Sequence, residues 1–134
     1  MASIKPDAKF VTTKTNIAYL SNFTGSSGFM LLTKNKNYLF TDSRYIGRAK
    51  NTIKKGIELI DITRVWRNPK DLKEHWQKIL SKHKVKILGI EESQVTLERF
   101  KNLKKISGKL RFVDISGEIE KIREIKTANE IALI

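Results

Sequence analysis

The sequence predicts an α/β fold: a mixed sheet of about five to six strands that starts with a β-hairpin and carries helices on both faces. Three observations predict it. Two apolar runs, residues 29–33 (FMLLT) and 38–41 (YLFT), flank the polar Lys34-Asn35-Lys36-Asn37, the pattern of a hairpin whose asparagines can take positive φ in the turn. After the hairpin, short apolar runs alternate with stretches of helical period. Residues 85–90, VKILGI, form a near-continuous apolar run of the buried parallel type.

Taken in order, residues 9–13 are a first short strand, and Thr15-Asn16 can cap a brief helix holding Ile17, Ala18 and Leu20. Gly25-Ser26-Ser27-Gly28 then makes a turn into the hairpin, whose strands are apolar at successive positions and so belong inside the sheet. Asp42 or Ser43 caps the next helix, with Tyr45, Ile46, Ala49 and Ile53 on one face and Gly56 as its left-handed stop. Residues 57–62 read as a strand. Asn68 caps a helix with Pro69 at its first position and Leu72, Trp76, Ile79 and Leu80 at helical spacing. After the strand at 85–90, Ser93 or Thr96 opens a helix with Leu97, Phe100 and Leu103 inward. Residues 110–115 form the last strand, and Ser116 starts a short helix with Ile119 and Ile122 inward. Thr127-Ala128-Asn129-Glu130 is a capping box that predicts a further helix start, so close to Ile134 that its Ile131, Leu133 and Ile134 would be exposed. The expected division is therefore a domain over residues 1–125 and the start of a linker helix over 126–134.

At 134 residues, 40% hydrophobic and 31% charged, the chain can bury one core, and no apolar run is long enough to cross a membrane. Met1-Ala2-Ser3-Ile4-Lys5-Pro6 lacks the apolar centre of a secretory signal, and the expected compartment is the cytoplasm. No cysteine is present, which removes disulfides, thiolate ligands and thiol nucleophiles together. The net charge of +13 invites a nucleic-acid reading. Lysine dominates arginine, however, and Lys54-Lys55, Lys82-His83-Lys84 and Lys104-Lys105 sit at expected helix ends, where the helix dipole favours cations. A solvated basic surface is the preferred reading, with a nucleic-acid-binding module kept as an alternative.

A catalytic metal site needs several converging His, Asp or Glu ligands. His75 and His83 are the only histidines, eight residues or roughly 12 Å apart along a helix, too far to share one ion. No catalytic or metal-ligating residue is therefore assigned in this chain. Gly25-Ser26-Ser27-Gly28 could form an anion nest, but it precedes a strand and lacks a phosphate-loop ending; a tight turn with close backbone approach is preferred. Asp42, Arg44 and Tyr45 follow the end of a strand, where α/β folds tend to place sites. The structural reading of the same residues is a helix cap at Asp42 with Arg44 paired locally. Glu91-Glu92 is a similar paired-acid position, explained equally by a solvated helix start.

The order Tyr19-Leu20-Ser21-Asn22-Phe23-Thr24-Gly25-Ser26-Ser27-Gly28, hairpin, Thr41-Asp42-Ser43-Arg44-Tyr45, and the tail from Ile122 to Ile134, resemble the N-terminal domain of the Xaa-Pro peptidases, the prolidase and aminopeptidase P group with creatinase as a relative. The resemblance implies the creatinase/prolidase N-terminal, ribonuclease H-like fold. It also implies a parent metallopeptidase whose two divalent metal ions (manganese, cobalt or zinc) are held by two Asp, one His and two Glu in a catalytic domain beyond this chain. The implied partners are that catalytic domain, a homodimer or higher homo-oligomer, and short proline-containing peptides. The implied role is to shape access to the active site, with Phe23, Asp42, Arg44 and Tyr45 as the substrate-access candidates. The rivals are a peptide- or histone-binding homologue without catalysis, the basic nucleic-acid module, and creatinase-like hydrolysis.

Overall fold

The computed structural model describes residues 4–132, with side chains described for residues 4–125. Its sheet has six strands: β1 (Ala8–Val11), β2 (Phe29–Thr33), β3 (Asn37–Thr41), β4 (Ile57–Asp61), β5 (Ile87–Ile90) and β6 (Arg111–Asp114), in the spatial order β4-β3-β2-β1-β5-β6. The first three pair antiparallel, and β4, β5 and β6 join by parallel pairing. The helices are α1 (Lys14–Ser21), α2 (Ser43–Thr52), α3 (Ile62–Val65), α4 (Pro69–Lys82), α5 (Leu97–Ser107) and α6 (Glu118–Ala132).

Both faces of the hairpin are buried because its apolar residues are consecutive and successive side chains point to opposite sides. Phe29, Leu31, Tyr38 and Phe40 join Phe10, Leu88 and Ile90 in one core, covered by Trp76, Ile79 and Leu80 of α4 and Leu103 of α5. Met30 and Leu39 face the other way and pack with Val11, Ile17, Ala49 and Ile119, from β1, α1, α2 and α6. The first core is dominated by rings: Phe29 stacks on Phe40 with centroids 4.7 Å apart, and Trp76 meets Phe10 edge-on at 5.9 Å. Gly89 is required in β5, since a Cβ there would lie 2.6 Å from Cγ2 of Ile115.

Several sequence expectations change. Asn35 and Asn37 do not take positive φ; among the described residues the left-handed non-glycines are Asn22 (φ 68°) and Lys84 (φ 53°). The hairpin turn is closed instead by Thr33, whose N–H donates to the Lys36 carbonyl at 3.0 Å and whose Oγ1 accepts from the Lys36 N–H at 3.0 Å. Helix α2 ends at Thr52, before Gly56, which turns the chain into β4. The strand expected to end at Ile62 ends at Asp61, whose side chain accepts from the Thr63 N–H and starts α3, a helix the sequence reading omits. Leu97 is 68% and Ile122 49% exposed. Leu97 opens α5 before the helix reaches the core, and the inward stripe of α6 is Ile119 with the hydrogen-bonded Glu120 and Arg123. The capping box does not begin a helix, because α6 runs unbroken through it. The exposure expected of Ile131, Leu133 and Ile134 lies outside the described side chains.

Both histidines are partly packed and engaged. The Trp66 indole N–H donates to Nδ1 of His75 at 2.8 Å, and Nε2 of His83 lies 2.6 Å from the Tyr38 hydroxyl. Burial pushes both imidazoles below their ordinary pKa of 6.5. As pH falls through 6.5 the unfolded chain therefore takes up protons before the folded one, and stability drops. The urea midpoint is expected to fall between about pH 7.5 and 5.5. The double variant His75→Gln/His83→Gln should lack that portion of the pH dependence.

Candidate functional site

The loop between α1 and β2 is built from inside outward. Helix α1 stops because Asn22 turns left-handed and donates its N–H to the Ala18 carbonyl. Ser21, fully buried, donates its hydroxyl to the Ile17 carbonyl at 2.6 Å and accepts the Phe23 N–H at 3.1 Å. Phe23 is thereby directed into the core, 2% exposed, and the chain wraps over its ring. A Cβ on Gly25 would lie 2.3 Å from Cζ of Phe23, and one on Gly28 3.1 Å from the Phe40 carbonyl oxygen. These glycines serve close approach, and neither has the positive φ expected of an anion nest.

Helix α2 starts beside this loop. Asp42 accepts the Arg44 N–H at 3.0 Å and grips the Arg44 guanidinium through Nε and Nη2 at 3.0 and 2.9 Å. That guanidinium holds the Asp42 carboxyl below the usual carboxylate range. The Arg44 side chain is 73% exposed and its guanidinium lies over the Tyr45 ring at 5.3 Å. Tyr45 touches Phe23 edge-on at 6.0 Å, and its hydroxyl hydrogen-bonds Ser26. Arg48 donates to Thr24 Oγ1 at 2.9 Å, and Thr41 to the Ser27 carbonyl at 2.6 Å. The structure thus brings Asp42, Arg44 and Tyr45 together at the surface, while Phe23 anchors them from below and does not itself reach solvent.

A second polar centre lies at the C-terminal end of β5. The solvated reading fits Glu92, which is exposed, but not Glu91, which is 1% exposed. Glu91 Oε1 accepts from Thr12 N, Thr13 N and Thr13 Oγ1 at 3.1, 3.3 and 3.1 Å, and Oε2 accepts from Asn16 Nδ2 at 2.7 Å. Helix α1 has no acid in its own first turn, and Glu91 supplies one from a distant strand. The Asn16 amide also donates to Glu120 Oε1 at 2.7 Å, and its oxygen accepts from Arg123 at 2.7 Å. The hydrogen bond from Asn16 lowers the Glu120 carboxyl pKa. Sequence reasoning marked Glu91-Glu92 as a paired-acid position after a buried strand, but missed the burial of Glu91 and its partners Thr12, Thr13 and Asn16.

Among the described residues, no group of three His, Cys, Asp or Glu is placed to hold a metal ion. Glu91 and Glu120 are bridged by an amide, and both histidines are committed to ring partners. These residues do not fit a dinuclear metal site.

The hairpin-centred mixed-sheet fold is shared with solved structures of Xaa-Pro peptidases. The chain matches the X-Pro aminopeptidase of Thermotoga maritima MSB8 with a TM-score of 0.74 and 27% identity, over 88% of this chain and 33% of that one. It matches an Xaa-Pro aminopeptidase of Streptococcus pyogenes with a TM-score of 0.72 and 28% identity, over 86% of this chain and 82% of that one. The N-terminal domain of cytoplasmic peptidase PepQ from Mycobacterium tuberculosis H37Rv gives 0.70 and 26%, covering 87% and 86%. The family model for the Creatinase/Prolidase N-terminal domain matches residues 1–125, and the chain belongs to that family. Among curated relatives it is 27% identical over 128 residues to the uncharacterized peptidase YqhT of Bacillus subtilis, spanning 96% of this chain and 34% of YqhT.

Glu91→Ala removes one acceptor group facing four donors and leaves the half-buried Thr12 and Thr13 N–H groups without it. It is expected to cost about 3 kcal/mol in urea denaturation, against less than about 0.5 kcal/mol for the exposed neighbour Glu92→Ala.

Proposed function

We propose that this chain is the non-catalytic N-terminal domain of a metal-dependent Xaa-Pro peptidase, of prolidase or aminopeptidase P type, and that it shapes substrate access and oligomer contacts. One observation carries the reading: the fold recurs within an X-Pro aminopeptidase of which this chain spans 33%. The parent would hydrolyse the Xaa-Pro amide of short peptides in the cytoplasm, with two divalent ions held in its catalytic domain. Residues 1–125 would form the N-terminal domain, and residues 126–134 would start the connection to the catalytic domain, α6 carrying the chain across the boundary without a break.

The access role is assigned to the rim of Asp42, Arg44 and Tyr45. A side chain that must meet a substrate or a neighbouring subunit has to be exposed yet held in one orientation. Arg44 has both properties: it projects to solvent, and its guanidinium is fixed by the bidentate Asp42 grip and the Tyr45 ring. Phe23 contributes through Tyr45 as a positioning residue.

Replacing Arg44 by Ala in the full-length peptidase is expected to lower kcat/KM for an Xaa-Pro dipeptide by about tenfold or to weaken assembly, while Tm changes little because the pair is solvent-exposed. Unchanged kcat/KM together with an unchanged sedimentation profile would remove the assignment.

A further inference from the structure

A groove of about 660 Å³ opens between α4 and α5, on the opposite face of the sheet from α1 and α2. Its floor is aromatic and aliphatic, from Phe29, Trp66, Leu72 and Trp76. Its rim carries four cations, Arg67, Lys73, Arg99 and Lys105, and no acidic side chain lines it. The volume falls in the range of small-molecule sites, about 300–1,000 Å³.

The cations differ in their pairing. Arg67 is paired with Asp71 at 3.5 Å. Arg99, Lys73 and Lys105 have no ion-pair partner among the described residues. The Arg99 guanidinium is held over the Phe29 ring, 5.6 Å from its centroid. Arg99 is exposed at the rim, and the apolar floor beneath it takes away part of its hydration and pushes its pKa down. Phe29 is itself covered by Trp66, with centroids 5.7 Å apart, so the apolar surface open beside the unpaired charge is that of Trp66 and Leu72.

We propose that this groove binds a small amphipathic anion: an aromatic carboxylate whose ring lies against Trp66 and Leu72 and whose carboxylate pairs with Arg99. The floor supplies apolar contact, which fixes the body of the ligand. Arg99 supplies a planar donor fork that matches a carboxylate, and Lys73 and Lys105 add an attractive field.

The two tryptophans of the chain both line the groove, so their indole N–H resonances report on it directly. Titration of the 134-residue chain with 1-naphthoate is expected to shift both resonances saturably, and the neutral 1-naphthalenemethanol to bind about tenfold more weakly. Arg99→Gln should weaken naphthoate about tenfold and leave the alcohol unchanged, at constant Tm; Lys105→Gln should cost about twofold to threefold. Any one of three results would overturn the proposal: no shift at millimolar naphthoate, equal affinity for acid and alcohol, or naphthoate binding unaltered by Arg99→Gln. Competition by polyglutamate as effective as that by naphthoate would also overturn it, since the site would then read charge alone.

Discussion

The burial of Glu91 is the constraint from which the arrangement of the chain ends follows. A carboxylate taken out of water is tolerated only where donors replace its hydration, and here Thr12, Thr13 and Asn16 provide them. Those donors sit where β1 gives way to α1, so satisfying Glu91 fixes where the strand stops and the direction in which the helix leaves. Asn16 then passes the constraint on, since its amide is shared with Glu120 and Arg123 of α6. Among its described side chains, the last helix is held by this polar contact, by Ile119 and by a Lys9–Glu118 ion pair at 3.2 Å, while Ile122 and Ile125 are exposed. The network sets α6 by hydrogen-bond geometry, which is directional, where apolar packing alone would allow the helix to rotate.

The hairpin divides the labour between the two faces. Because β2 and β3 are apolar at successive positions, each face of the sheet receives large side chains, but not of the same kind. Phe29, Tyr38 and Phe40 fall on the α4/α5 side, Met30 and Leu39 on the other. The ring-rich side demands polar partners at its edges: Trp76 donates to Ser107, Trp66 to His75, and Tyr38 meets His83. The aliphatic side packs closely against α1, α2 and α6, and it supports the Phe23 loop. One strand pattern thus produces an aromatic groove on one face and a rigid surface loop on the other.

Much of this was legible in the sequence, and the failures share a cause. The hairpin, the Asn68 and Thr96 caps and the α4 stripe are local patterns, set within a few residues, and the structure keeps each of them. Asp42 and Arg44 also pair as neighbours in sequence can. What sequence could not give depends on partners far along the chain. Glu91 meets residues 78 and 79 positions away, and nothing near it distinguishes it from Glu92. Phe23 shares its loop with exposed residues, and it faces inward to join a core in which Met30, Leu39 and Ala49 come from later elements. The Asn-rich turn is the exception: local Thr33 hydrogen bonds to Lys36 close it, removing any need for a left-handed asparagine.

The acidic residues, finally, explain the basic surface. The chain has 14 Asp and Glu against 27 Lys and Arg, and many of the acids serve backbone groups in place of solvent. Asp7 accepts the Lys86 and Ile87 N–H groups, which hold its carboxyl below the ordinary range and tie β1 to β5. Asp42 and Asp61 cap helices, Asp114 accepts from Ser116 and Glu92, and Glu91 is enclosed. Lysines and arginines, with long stems and no acceptor atoms, cannot perform these tasks and remain at the surface. Folding thus commits Asp7, Asp42, Asp61 and Glu91 to strand ends and caps, while Glu58, Glu74, Glu92, Glu98, Glu118 and Glu124 stay exposed among the cations. With a net charge of +13 the surface attracts anionic groups over roughly a Debye length, about 8 Å at physiological salt, and attraction at that range precedes any specific contact at the Arg44 rim or the groove.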